Sequence, residues 1–248
     1  MSLLSELTAQ ALLTLREVAA AGVGASTLIE IPTRGKRCSL EFAAVTEASV
    51  VIELTGYGRN GHRLSEFELD WLSELGFAKP DAAVPNWWLL VDVQSETGLS
   101  LEAAVRALVE IFGVNILGLT RAFALSDEVA ASSDAVAYDA ILEVRGLVPE
   151  LEHAAFNEHR LWATRLPGHA QLIMTPHLGV VDLEYLGSTG LDDSSDDSPW
   201  GLYRSMQNAG ASFTMFPNPT AIAARIRRLL KFAENHEETG INPFRASP

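Results

Sequence analysis

Cysteine occurs once, as Cys38. A single thiol permits no intrachain disulfide and no thiolate cluster around a metal, which excludes the stapled scaffolds of small secreted proteins. Basic residues are scarce: 18 lysines and arginines stand against 32 aspartates and glutamates, a formal charge of −14. That excess repels the phosphates of nucleic acid and of anionic membranes, so neither is expected as a partner. Long apolar runs are missing too. No stretch approaches the roughly 20 apolar residues that cross a bilayer. The opening MSLLSELTAQALLTLREVAAAG has no basic leader and puts Glu6 where a signal peptide would be apolar. The expected compartment is the cytoplasm.

Catalytic motifs are equally sparse. The six histidines, at positions 62, 153, 159, 169, 177 and 236, make no HExxH pair or other spacing that sets two ligands on one helical face. No GxSxG elbow occurs, and Cys38 falls mid-strand, where a structural thiol is expected. The turn Gly56-Tyr57-Gly58-Arg59-Asn60-Gly61 lacks a phosphate-loop lysine. The acidic run Asp192-Asp193-Ser194-Ser195-Asp196-Asp197 lacks the glycine and glutamate of a calcium loop and reads as a solvated segment. No catalytic residue, metal site or cofactor is assigned, and an enzyme is not expected.

What the chain does have is apolar periodicity, in 248 residues that are 48% hydrophobic. Leu4, Leu7, Ala11, Leu15 and Val18 make one stripe of a helix over about 4–20, closed by Gly22 and Gly24. Strands are expected at Thr27–Ile31, Cys38–Phe42 and Val50–Leu54. The segment 64–76 carries a capping box (Ser65 and Glu68), a buried face of Phe67, Leu72 and Leu75, and Gly76 as terminator. Trp87–Val91 is a further strand. Ser100 is expected to cap a helix whose inner side holds Leu101, Ala104, Val105, Leu108, Ile111 and Phe112, with Gly113 as its stop.

Beyond a polar stretch at Ser126–Asp134, helices are expected at 135–145 and 149–157. Strands follow at Leu161–Thr164, Ala170–Thr175, Val180–Tyr185 and Phe213–Phe216. Asn218 and Pro219 then open a helix with Ile222, Ile226, Leu229 and Leu230 inside, followed by a frayed polar tail from Glu234. Arg225, Arg227, Arg228 and Lys231 fall mostly on the outer face of that helix. Both halves end with strands, an irregular middle, one more strand and an amphipathic helix. The expected class is therefore α+β, in two tandem units at 1–122 and 123–248, each a mainly antiparallel sheet backed by helices.

Trp87 and Trp88 are neighbours on a strand, so they point to opposite faces and only one can enter the core. The other is a candidate platform for an extended peptide.

The stretch Arg63-Leu64-Ser65, Leu72-Ser73-Glu74-Leu75-Gly76-Phe77, Pro80, Pro85-Asn86-Trp87-Trp88 and Ile111-Phe112-Gly113-Val114 resembles the actinobacterial TY-Chap family over about residues 38–118. That family is itself similar to type III secretion chaperones and YbjN proteins. The resemblance implies a curved sheet backed by helices, an apolar surface for an extended peptide or protein client, no cofactor and no catalysis. It also implies either a monomer with pseudo-dimeric halves or a homodimer. The other readings are a small-molecule sensor or enzyme with a dispersed site, and an acidic scaffold or immunity-type protein that docks a basic partner.

Overall fold

The computed structural model describes residues 2–33, 36–55, 64, 66–80, 85–94, 97–157, 160–163, 166, 171–186 and 210–239. The glycine-rich turn 56–61, Ser65, the acidic run 192–197, His62, His159 and His169 lie outside the described residues. The chain divides into two compact units, the first reaching Ser133 and the second starting at Asp134.

Ser2 opens helix α1 (Leu3–Ala21), its hydroxyl accepting the Ser5 N–H at 3.2 Å. Leu3, Leu7, Ala11, Leu15 and Val18 are buried along it. The stripe starts at Leu3 and not at the expected Leu4, because a step of four residues back from Leu7 keeps the same face. Gly22 ends the helix at φ 92°, a conformation that other residues rarely adopt.

The chain then forms β1 (Ser26–Thr33), β2 (Lys36–Ala44), β3 (Ser49–Thr55) and, after helix α2 (Glu66–Glu74), β4 (Trp87–Asp92). These make a four-stranded antiparallel sheet in the order β1-β2-β3-β4. Among the described side chains of α2 Trp71 and Leu72 are buried; Phe67 lies outside them, and Leu75, expected inside, is half-buried. The Leu72 carbonyl accepts the Phe77 N–H, and Gly76 at φ 90° lets the chain turn there.

Helix α3 spans Thr97–Glu110, so Ser100 lies inside it and is not its cap. The chain bends directly after β4, where the Asp92 carboxylate accepts the Gln94 N–H at 2.8 Å, and the helix starts about a turn early. The expected inner residues from Leu101 to Phe112 are all buried. Glu110 is buried as well and forms a two-pronged ion pair with Arg106 at 3.0 Å. That pairing is what makes a buried carboxylate tolerable. Two short helices follow that periodicity did not signal: α4 (Ile116–Ala122), capped by Asn115, and α5 (Asp127–Ser132), capped by Ser126. The expected division at 122/123 falls between these two helices, which pack on each other.

The second unit opens with α6 (Asp134–Leu147). The expected helix over 149–157 does not form. A single 3-10 turn at Pro149–Leu151 gives way to strand β5 (Ala155–Asn157), because pairing with the next strand sets Phe156 opposite Leu161 on the inner side of a sheet. Strands β6 (Arg160–Ala163), β7 (Gln171–His177), β8 (Val180–Leu186) and β9 (Gly210–Met215) complete a five-stranded antiparallel sheet in sequential order. Asn218 caps the closing helix α7 (Pro219–Thr239), accepting the Ala221 N–H at 3.1 Å. The helix continues past Glu234, where a frayed tail was expected, through a run of good helix formers. Arg225 also departs from expectation. It is buried, with its guanidinium 4.4 Å from the centre of the Phe213 ring.

Each unit thus runs from a helix through antiparallel strands to a last strand paired with its predecessor, then to a helix packed on a helix of the same unit. In the first unit α1 packs on α3; in the second α6 packs on α7. The class is α+β.

Candidate functional site

Antiparallel register sorts each sheet into two faces. In the first sheet one face carries the rows Leu40–Leu54–Trp87, Phe42–Ile52–Leu89 and Ala44–Val50–Val91. Apart from Trp87 these are buried, and α1 and α3 pack on the sheet. Cys38 belongs to the same face. The residue is 2% exposed, and burial pushes its thiol up to about 12 against a smaller opposing pull from the Ser39 backbone, so it behaves as an inert core group.

The opposite, outer face is exposed at its margins, while Val51 and Ser39 within it are buried and Ala43, Glu41 and Glu53 are half-buried. Its rows are Ser26–Ala43–Val51–Leu90 and Leu28–Glu41–Glu53–Trp88, with Glu30 and Asp92 beyond. Leu28 is 49% exposed and Leu90 57% exposed. Trp87 and Trp88 therefore point to opposite faces, Trp87 beside Leu54 on the helix side and Trp88 beside Glu53 on the outer side. Both are half-buried. The Trp88 indole N–H is shielded from solvent and has no hydrogen-bond partner. Glu53 is held by the Asn86 side chain, which donates to Oε2 at 3.0 Å.

Strand β4 is the last in its sheet, and its outer edge is partly occupied. Ala78 makes an isolated antiparallel bridge to Trp88, exchanging N–H and C=O bonds at 2.8 and 3.3 Å. In an antiparallel pair alternate residues turn their backbone groups to the same side. The N–H and C=O of Leu90 therefore point to the same outer edge as those of Trp88, beyond the one described bridge.

The outer face of the second sheet is more polar. Trp162, Gln171, Ile173, Thr175, Asp182, Glu184 and Thr214 share it by register and are all half-buried. The Thr214 hydroxyl donates to Asp182 at 2.8 Å. Burial raises the Asp182 carboxyl above its ordinary value, and the Thr214 bond and His177 only partly oppose it. Burial likewise raises Glu184, reinforced by the Asp182 charge and countered by Arg160. The Trp162 indole N–H and the Gln171 carbonyl oxygen are buried without partners. Elsewhere in this unit an open hollow of about 480 Å³ lies against Leu142, Arg145, Gly146, Pro149 and Glu152. Arg145 is already committed there, donating to the Glu152 carbonyl at 3.0 Å and lying 5.6 Å from the Phe156 ring centre.

Among the described residues no group of three or more His, Cys, Asp or Glu side chains could hold a metal ion, and no helix is long and apolar enough to cross a membrane. Strand spacing in the sequence pointed to Trp87 and Trp88. It did not point to Leu28, Leu90 or the facing of Glu41 and Glu53, since only the register brings residues so far apart into one row. No protein-family model matches the chain, and no curated protein matches it.

Proposed function

We propose that the protein is a non-catalytic chaperone or adaptor that holds an extended segment of another polypeptide against its first sheet. The observation that carries this reading is the outward-facing end of β4. Leu90 there is exposed and turns its backbone groups to an edge where Ala78 is the one described partner. An unpaired strand edge beside apolar side chains is the usual template for strand addition, in which main-chain bonds supply affinity and alternate side chains supply selectivity. Trp88, on the same face, adds a broad apolar surface; Trp87 supports the strand from the helix side. The resemblance of residues 38–118 to the TY-Chap family points the same way and rests on its motif residues alone. The order of elements common to the two units supports a duplication, with a pseudo-dimeric monomer as the working form. On this reading the protein acts in the cytoplasm, where its one thiol stays reduced.

Hydrogen exchange at Leu90, read with and without an array of unstructured peptides, tests the reading. Binding peptides should slow exchange of the Leu90 amide while leaving the β8 amides unchanged. If no peptide binds, or if bound peptides leave Leu90 untouched, the reading fails.

A further inference from the structure

The outer face of the first sheet holds a charge conflict. Glu41 on β2 and Glu53 on β3 are direct cross-strand partners. On one face of an antiparallel pair that arrangement brings the Cβ atoms to about 5 Å, and like charges placed so oppose each other. Neither carboxylate has an ion-pair partner among the described residues, and Glu53 receives only the neutral amide of Asn86. Among the described strand positions of this sheet the basic ones are Lys36 and Arg37, and Arg37 lies four positions from Glu41 along the strand, about 13 Å at roughly 3.3 Å per residue.

Apolar groups bracket the pair. Leu28 and Trp88 close the two ends of its row, and Ala43, Val51 and Leu90 form the next row. The sheet is about 14 Å wide at roughly 4.8 Å per strand, so an extended segment of about five residues crosses it. Such a segment meets apolar surface at both margins and, in the middle, two carboxylates with no ion-pair partner among the described residues.

We infer that the client segment is basic and apolar together: an extended stretch whose Leu-, Ile- or Val-type side chains rest on Leu28 and Leu90 while a Lys or Arg between them reaches Glu41 and Glu53. The inference rests on the polypeptide-binding reading above and specifies its partner: past its pairing with Leu90 at the β4 edge, the bound segment turns across the outer face toward Leu28. A cation at that point neutralises the facing carboxylates, so binding relieves a repulsion that the free protein carries. The formal charge of −14 steers the same class of partner toward the chain from a distance.

Fluorescence anisotropy with labelled synthetic peptides of about eight residues, long enough to cross the sheet, provides the test. One peptide carries leucine and lysine by turns at every second position with serine between, so that both side-chain types face the sheet; a second has serine, and a third glutamate, in place of lysine. The full chain should bind the lysine peptide best and the glutamate peptide least. The preference should shrink as salt shortens the screening length from about 10 Å at 0.1 M to about 3 Å at 1 M. Glu41→Gln and Glu53→Gln should each weaken the lysine peptide by roughly threefold and leave the serine peptide unchanged. Each should also raise the melting temperature of the free protein, which shows that the variant is folded. Leu28→Ser with Leu90→Ser should weaken the lysine and serine peptides alike.

Equal binding of the lysine and serine peptides overturns the basic partner and leaves polypeptide binding standing. Binding of neither overturns both. A lysine preference indifferent to the glutamine variants places the basic segment elsewhere and overturns this assignment. Sedimentation gives the remaining arm: a wild-type dimer abolished by the double serine variant would make the face a contact between copies of this chain, and the inference would be wrong.

Discussion

The outer faces of the two sheets solve the same packing problem in opposite ways. The second gathers its polar groups into partial burial, with Asp182 tied to Thr214 and two carboxyls raised by desolvation. The first leaves Leu28 and Leu90 in water and sets two glutamates opposite each other. Desolvated carboxyls cost stability and are kept where surrounding structure holds them; exposed leucines cost little and are available to a partner. One face is thus finished within its own unit, and the other is suited to completion by something else.

The sharpest way to break this contrast is through the cores that both faces share. Ile52→Ala and Leu183→Ala each remove a side chain with no exposed surface from the helix side of its sheet. Each should cost about 2–5 kcal/mol by urea unfolding. A loss below about 1 kcal/mol at Ile52 would mean that the first sheet is not packed as described.

Next in size is Asp134→Ala. The Asp134 carboxylate accepts the Gly179 N–H at 2.6 Å and ties the start of α6 to the β7–β8 turn. Its removal should cost about 1–2 kcal/mol, since it strands a part-buried donor. Asp134→Asn, which keeps an acceptor, should recover part of that loss.

The two raised carboxyls give a smaller effect with a definite sign. A carboxyl whose value is higher in the folded state binds its proton more tightly there. The stability it contributes is complete below its ordinary value, 3.8 for Asp182 and 4.5 for Glu184, and is lost as pH rises through the raised value. Asp182→Asn and Glu184→Gln should therefore stabilise the protein at neutral pH and flatten its stability profile on the acid side. Thermal melts across that range check this, and destabilisation at neutral pH by Glu184→Gln would show that the attraction of Arg160 outweighs the burial of the charge.

The smallest effect belongs to the first sheet's outer face. Leu90→Ser should change stability by no more than about 0.5 kcal/mol, as surface substitutions do, while reducing peptide binding. A cost approaching that of Ile52→Ala would mean that Leu90 is covered and would end the contrast.

Much of the fold was legible. The α1 stripe, the Gly22 and Gly76 stops, the β4 assignment and the Asn218–Pro219 helix start all follow from local chemistry that the structure bears out. The elements that were missed share a cause, which is that three to seven residues hold too little pattern. Helix α4 has barely two turns, α5 hides in an alanine- and serine-rich stretch, and β5 is decided by its pairing with β6. Helical spacing groups Arg225 with a cluster that falls mostly on the outer face, and does not show that its guanidinium stacks on Phe213. For the site, the sequence could say that Trp87 and Trp88 diverge. It could not say that Glu41 faces Glu53, because a one-residue slip of register would have put either on the other side.

Cys38 gives the molecule a built-in clock. It is the chain's one thiol, it belongs to the first unit, and it is buried in β2 with its acidity suppressed. In the native state it is blind to an alkylating reagent at neutral pH, and it becomes reactive when β2 opens to solvent. The rate of its modification therefore times the opening of the first unit alone, with the second unit chemically silent. A client that stiffens that sheet should slow the reaction, with no probe engineered into the protein beforehand.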